Sequence, residues 1–164
     1  MYNLLGSHDT PRVLTLLGDR ERVVRALAIE YLIYGAPSVY YGDEVGMEGG
    51  PDPDNRRPMV WSPDSWDLEL VNTVRLFNGL RSKEPAIRWG LFAARPYTSD
   101  GVLLARWWGD DAILALISRS RVPTFSPPQG DCDVLAQRGV GENYVDGFLV
   151  LKCRKAALAS FSLS

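Results

Sequence analysis

The run Tyr2-Asn3-Leu4-Leu5-Gly6-Ser7-His8-Asp9-Thr10-Pro11 begins as a short apolar segment and ends in turn formers, the pattern of a strand feeding a loop. From Asp19 to Tyr34 the pattern changes. Asp19 is placed to cap a helix, the apolar residues Val23, Val24, Leu27, Ala28, Tyr31 and Leu32 recur at three-to-four spacing, and Gly35 with Pro37 stops the repeat. Ser38-Val39-Tyr40-Tyr41 follows as a compact β-prone run, long enough for a buried strand and too short for another helix. Strand, helix, strand is a βαβ unit, so the front of the chain predicts an α/β arrangement.

Beyond it, Gly46 to Pro58 is rich in glycine, proline and charge and has no periodicity. Loops of that length in compact domains tend to carry function. A second helical pattern spans about Ser65 to Ser82 through Leu68, Val71, Val74, Leu76, Phe77 and Leu80, with Pro85 just past its end. After Gly90 the texture turns to short β-prone segments. Val102 to Trp108 and Ala112 to Ile117 flank Gly109-Asp110-Asp111, a hairpin signal. Cys132 to Leu135, Phe148 to Leu151 and Ala156 to Phe161 are further strand candidates, punctuated by Pro127-Pro128-Gln129-Gly130 and Gly139-Val140-Gly141. This half reads as an antiparallel β-sandwich. The boundary between the halves falls near Ile87 to Leu91, giving regions 1–90 and 91–164.

Composition narrows the function. With 164 residues, 46% hydrophobic and 23% charged, the chain is globular in character. Its 18 Lys+Arg against 20 Asp+Glu give a net charge of −2, no basis for binding nucleic acid or an anionic membrane. No apolar stretch reaches the ~20 residues of a membrane span, and the N-terminus has no signal-peptide pattern, so a soluble, cytoplasmic protein is expected. Cys132 and Cys153 form no metal-ligand cluster and no disulfide framework, and in that compartment both are expected to be reduced. His8 is the single histidine, so a second imidazole for a zinc or His-Asp metal site is lacking. No metal or cofactor is expected.

Three stretches, in order, then carry a resemblance. Asn3-Leu4-Leu5-Gly6-Ser7-His8-Asp9-Thr10 resembles the fourth short conserved region of the α-amylase family, glycoside hydrolase family 13, whose His-Asp pair ends barrel strand seven. Gly35-Ala36-Pro37-Ser38-Val39-Tyr40-Tyr41-Gly42-Asp43-Glu44 resembles that family's strand-eight signature, and Asp52-Pro53-Asp54-Asn55-Arg56-Arg57-Pro58-Met59-Val60-Trp61 the following loop of cyclomaltodextrinases, neopullulanases and maltogenic amylases. The resemblance implies the last βα units of a (β/α)8 barrel followed by a small antiparallel β-sandwich domain, acting on α-glucan oligosaccharides. By that likeness, Asp9 matches the carboxylate that stabilises the transition state, His8 binds sugar hydroxyls beside it, and Asp52 and Arg56 contact glucose units further from the scissile bond.

Retaining glycoside hydrolysis needs a carboxylate nucleophile and a carboxylic acid that serves as acid and then base, about 5 to 5.5 Å apart. The family takes its nucleophile from a Gly-x-Arg-x-Asp segment and its acid from a Glu, both upstream of the His-Asp region. No Gly-x-Arg-x-Asp string occurs here, and at most the last quarter of a barrel of about 250 residues precedes Gly90. The chain alone is therefore expected not to hydrolyse glycosides. Leu4, Leu5, Val39 and Tyr40 would be left partly uncovered, so self-association or pairing with the missing barrel portion is expected. A non-catalytic glucan-binding or complementation module is the competing reading. Asp43-Glu44 resembles a catalytic pair, but adjacent strand-end acids point apart, and the segment is read as structural. Alternation along a strand places one of Trp107 and Trp108 in the core.

Overall fold

Tyr2–Asn3 (β1) pairs in parallel with Ala36–Pro37 (β2), with Tyr2 opposite Ala36 and Asn3 opposite Pro37. The chain is described by a computed structural model over residues 1–124 and 132–161. Contacts divide it into two units, Met1–Tyr31 with Gly35–Asn78, and Leu32–Tyr34 with Gly79 onward.

In the first unit the expected strand, helix and strand are present, but the second ladder sits earlier than Ser38–Tyr41. The chain becomes extended directly after Gly35, where the Ala36 N–H donates to Met1 O and the Ser38 N–H to Asn3 O. A short helix that the sequence pattern does not announce, Val13–Leu17 (α1), is closed by Gly18 in the left-handed conformation. The next helix, Arg20–Leu32 (α2), starts where Asp19 Oδ1 accepts the Glu21 N–H, and all six apolar residues read from its periodicity are buried. The glycine- and proline-rich stretch runs through 3₁₀ turns at Asp43–Val45, Asp54–Arg56 and Pro63–Ser65. It is less exposed than its composition suggests, since Met47 and Asn55 are buried within it. Leu68–Lys83 (α3) follows, its start capped by Asp67 Oδ1 accepting the Glu69 and Leu70 N–H groups. Leu68 and Leu76 face solvent, and the buried stripe runs through Leu70, Val71, Phe77 and Leu80.

The second unit begins its β structure after the short helix Pro85–Trp89 (α4). Leu91–Thr98 (β3), Gly101–Trp108 (β4), Asp111–Ser118 (β5), Val122–Pro123 (β6), Cys132–Val140 (β7) and Tyr144–Arg154 (β8) form one antiparallel sheet. The Gly109-Asp110-Asp111 signal is the β4–β5 hairpin turn, with Trp108 opposite Asp111. The expected sandwich is, among the described residues, a single sheet. The long β8 is shared, pairing with β5 and then β6 on one edge and with β7 on the other, so no second sheet is built from these strands. One face carries the core of Leu103, Ala105, Leu114, Leu116, Leu149 and Leu151. Trp107 packs against that core and Trp108 is exposed, as alternation requires. Gly139 takes φ 63° at a bulge in β7, where a Cβ would lie 1.9 Å from Asp146 O.

Two sequence expectations change here. Ala156–Phe161 is not a strand: Lys155–Phe161 is a 3₁₀ turn whose Ala157 and Leu158 close the core, and an alanine-rich run favours helical geometry over a ladder. Cys132 and Cys153 are not free thiols. The β7–β8 register sets them directly opposite, Cα atoms 4.1 Å apart, in a disulfide that a separation of 21 residues does not reveal. The Pro127-Pro128-Gln129-Gly130 punctuation lies outside the described residues. No helix among the described residues is long and apolar enough to cross a membrane.

A buried cation organises the start of this unit. Arg106, fully buried on β4, donates to Leu32 O (3.3 Å), Ile33 O (2.9 Å), Gly90 O (2.9 Å) and Leu91 O (3.2 Å). Replacing it removes the donors while leaving the carbonyls in place, an asymmetry that costs more than the bonds themselves contribute. Arg106→Met is expected to destabilise the chain by about 3 kcal/mol, lowering Tm by roughly 6–12 °C, and a shift under 1 °C in thermal unfolding would count against this role. Alkylation of the denatured, unreduced chain should label neither cysteine, whereas two labels per chain would refute the pairing.

Candidate functional site

The turn after β1 is built by its own side chains. The Ser7 N–H donates to Thr10 Oγ1 (3.0 Å), the Thr10 N–H to Ser7 O (3.3 Å), and the Asp9 N–H to Ser7 Oγ (3.1 Å). This closed turn projects His8 and Asp9 outward, their side chains 61% and 74% exposed, with His8 Nε2 3.3 Å from Asp9 Oδ2. In the facing loop the Asp54–Arg56 turn sets Arg56 Nε 2.8 Å from Asp52 Oδ1 and Arg56 Nη2 3.8 Å from Asp9 Oδ1. The four residues singled out from sequence thus form one line, His8, Asp9, Arg56, Asp52, although the two pairs lie more than 40 positions apart in the chain. All four are exposed, and ion pairs in water contribute at most about 1 kcal/mol each. The arrangement is set by what lies beneath it.

Beneath it is Arg12, whose side chain is fully buried. Its guanidinium lies 4.5 Å from the ring centroids of both Tyr40 and Tyr41, donates through Nη1 to Tyr41 O, and stands 3.6 Å from Asp43 Oδ1. The Arg12 N–H donates to Gly49 O at 2.9 Å. Gly49 is required by space: a Cβ there would lie 2.8 Å from Asp54 O and 3.0 Å from Asn55 Cα. Asn55 is fully buried and donates through Nδ2 to His8 O and Thr10 O, each at 2.8 Å. Asp54 ties the same loop to itself, accepting from Gly50 N–H (2.6 Å) and pairing with Arg57 (2.6 Å), and these two interactions hold its carboxyl below the usual range. Neither Arg12 nor Asn55 was singled out from sequence. Both sit in polar stretches where nothing separates a buried side chain from a solvated one.

Asp43, of the apparent catalytic pair, is buried against Arg12. Burial raises its carboxyl to about 6 against the opposing pull of Arg12 and the Val13 N–H. Glu30 lines the same small, mostly apolar cavity, with Leu5, Val13 and Val39, and its Oε1 accepts the Ser38 N–H at 2.9 Å. Burial raises Glu30 to about 7, outweighing the Ser38 hydrogen bond, with the Asp43 charge adding to the rise. Among the described residues no three His, Cys, Asp or Glu side chains gather closely enough to hold a metal ion.

Residues 1–67 match the α-amylase catalytic domain. In that region the chain is similar to the α-amylase family, glycoside hydrolase family 13. It is 41% identical over 122 residues to the cyclomaltodextrinase of Geobacillus thermopakistaniensis (strain MAS1), covering 73% of this chain and 21% of that protein. It is 52% identical over 91 residues to neopullulanase 2 of Thermoactinomyces vulgaris, covering 55% of this chain and 16% of that protein. The structure superposes on the ligand-free cyclic α-maltosyl-(1→6)-maltose hydrolase of Arthrobacter globiformis with a TM-score of 0.80 and 33% identity, covering 94% of this chain and 34% of that one. The chain therefore spans about a fifth of the length of the curated relatives it matches.

The two raised carboxyls have a consequence for stability. A carboxyl whose folded-state pKa lies above its unfolded value binds its proton more tightly in the folded state, so stability is greatest below the unfolded value and falls as pH rises through the folded one. For Glu30 and Asp43 that window runs from about pH 4 to 7. Glu30→Gln keeps the oxygen that accepts from Ser38 and removes the ionisation. The variant is expected to match the parent near pH 4.5 and exceed its Tm at pH 8 by a few degrees, on the order of 3 °C. Equal Tm values at pH 8 would contradict this.

Proposed function

We propose that the chain forms the last two βα units of a (β/α)8 barrel with an appended β domain, within a retaining α-glucan hydrolase acting on maltooligosaccharides, cyclodextrins or starch-like glucans. The observation that carries this reading is the line His8, Asp9, Arg56, Asp52 at the exposed end of two parallel strands, inside the stretch that matches the α-amylase catalytic domain. Active sites of such barrels lie at the C-terminal ends of the strands, where this line sits.

In this reading Asp9 accepts hydrogen bonds from sugar hydroxyls and its negative charge strengthens its hold as the anomeric carbon becomes oxocarbenium-like. His8 donates to a neighbouring hydroxyl. Asp52 and Arg56, joined at 2.8 Å, present an acceptor and a donor to a glucose unit further along the chain. The nucleophile and the acid come from polypeptide outside these 164 residues, so the chain alone turns over no glucan. The β1–β2 pair supports the same view: β1 and β2 each have one other edge without a strand partner among the described residues, and Tyr2 and Leu4 are exposed. A preceding segment of the same polypeptide, or a separately encoded one, would supply the strands that cover them.

The test compares cyclodextrin and maltotetraose hydrolysis by the chain alone and by the chain joined to a family-13 barrel front. Activity is expected only in the joined form, with Asp9→Asn lowering kcat by roughly a hundredfold or more. Normal turnover in the Asp9→Asn form would refute the role given to Asp9. Calorimetric binding of maltooligosaccharide by the isolated chain, with no activity in the joined form, would favour a non-catalytic module instead.

A further inference from the structure

We propose that Asn55 is a positioning residue that sets the location of Asp9, a deepening that rests on the reading of Asp9 as part of a sugar site. The Asn55 side chain has 0% exposure, and its carboxamide nitrogen carries two N–H groups. The oxygens of His8 and Thr10 lie 2.8 Å from that nitrogen, with Ser7 O a longer third neighbour at 3.5 Å. His8 O and Thr10 O belong to the residues on either side of Asp9, so the two strong bonds bracket the Cα that carries the carboxylate. Within the turn the Asp9 N–H is also held by Ser7 Oγ (3.1 Å), and the Asn55 bonds tie that turn to the facing loop. The Asp9 side chain is 74% exposed, and its contacts to His8 (3.3 Å) and Arg56 (3.8 Å) are open to solvent.

The same residue also fixes the opposite wall. Asn55 lies in the middle of the Asp54–Arg56 turn and points inward, while its neighbour Arg56 points outward to Asp52 and Asp9. Anchoring Asn55 to the His8–Thr10 backbone therefore fixes both the carboxylate and the guanidinium facing it with one side chain. Gly49 makes this possible, because its missing Cβ lets the loop backbone approach Asn55 Cα and the Arg12 stem together. Asp9 would act mainly on the transition state, where displacement of about 1 Å is enough to cost a large part of the rate. Loss of the anchor is then a loss in kcat more than in KM.

Asn55→Asp tests this, since it keeps the side chain's shape and replaces both donors with an acceptor facing carbonyl oxygens. In the 164-residue chain, the amide resonances of His8, Asp9 and Thr10 are expected to shift and to exchange at least about tenfold faster, while those of β4, β5 and β8 stay unchanged. In the chain joined to a barrel front, kcat is expected to fall about tenfold or more with KM within a factor of about three. Adding Asn55→Asp to an Asp9→Asn background should then produce little further loss, because Asn55 acts through Asp9. Unchanged kcat, or losses from the two substitutions that multiply, would overturn the proposal. If Asp9→Asn alone leaves kcat intact, the sugar-site reading fails, and that result is distinct from a failure of Asn55. Should Asn55→Asp not fold, Asn55→Ser, which withdraws the donors without adding charge, is read by the same criteria.

Discussion

The guanidinium of Arg12 is buried in the first unit and cannot reach water, and the local structure gathers charge and dipoles about it, although only Nη1 has a hydrogen-bond partner while Nε and Nη2 have none. Taking an ion of this size out of water costs several kcal/mol even after relaxation, so it survives only with charge and dipoles gathered about it. Those come from one short stretch, Tyr40 to Asp43: the carboxylate of Asp43, the carbonyl of Tyr41, and the ring faces of Tyr40 and Tyr41, with the Arg12 N–H itself tied to Gly49 O. Arg12 lies two residues after Thr10. Fixing its position therefore fixes the far side of the turn that presents His8 and Asp9.

The same device recurs because the parallel ladder is so short. β1 and β2 contribute two residues each, too few to align the segments that must meet. Side chains that reach distant backbone carbonyls align them instead, Asn55 to His8 and Thr10, Asn3 to Glu30, and, in the second unit, Arg106 to Leu32, Ile33, Gly90 and Leu91. Each gathers carbonyls left over where a strand or helix ends. Such groups are costly when buried unpaired, which makes one well-placed donor side chain worth several ladder bonds.

What the sequence made legible follows from the same physics. α2 and the β4–β5 hairpin were readable because burial imposes a period on apolar residues and a tight turn demands particular residues. β2 was displaced by a few residues because Ser38–Tyr41 is β-prone, while the hydrogen bonds that define the ladder fall on Ala36 and Pro37. The cysteine pair depends on the β7–β8 register, a long-range property that composition does not carry. His8, Asp9, Asp52 and Arg56 are singled out only through motif likeness, and their spatial grouping is a matter of fold. The buried roles of Arg12 and of Asn55, which lies within a quoted motif, are not legible, because a buried polar residue is recognised only by its partners, and those lie 29 to 47 positions away.

The exposure of Asp9 bears on how the proposed chemistry would work. In open water a carboxylate several ångströms from a developing cation contributes on the order of 1 kcal/mol, and screening reduces that further. The same carboxylate in a water-excluded site acts at much lower effective dielectric and needs no reorganisation as charge develops. At 74% exposure Asp9 is in the first regime, whereas the backbone beneath it is already fixed by Asn55. Geometry and dielectric are thus separable here. The chain supplies the position of the carboxylate, and whatever completes the site supplies the exclusion of water that would make that position count.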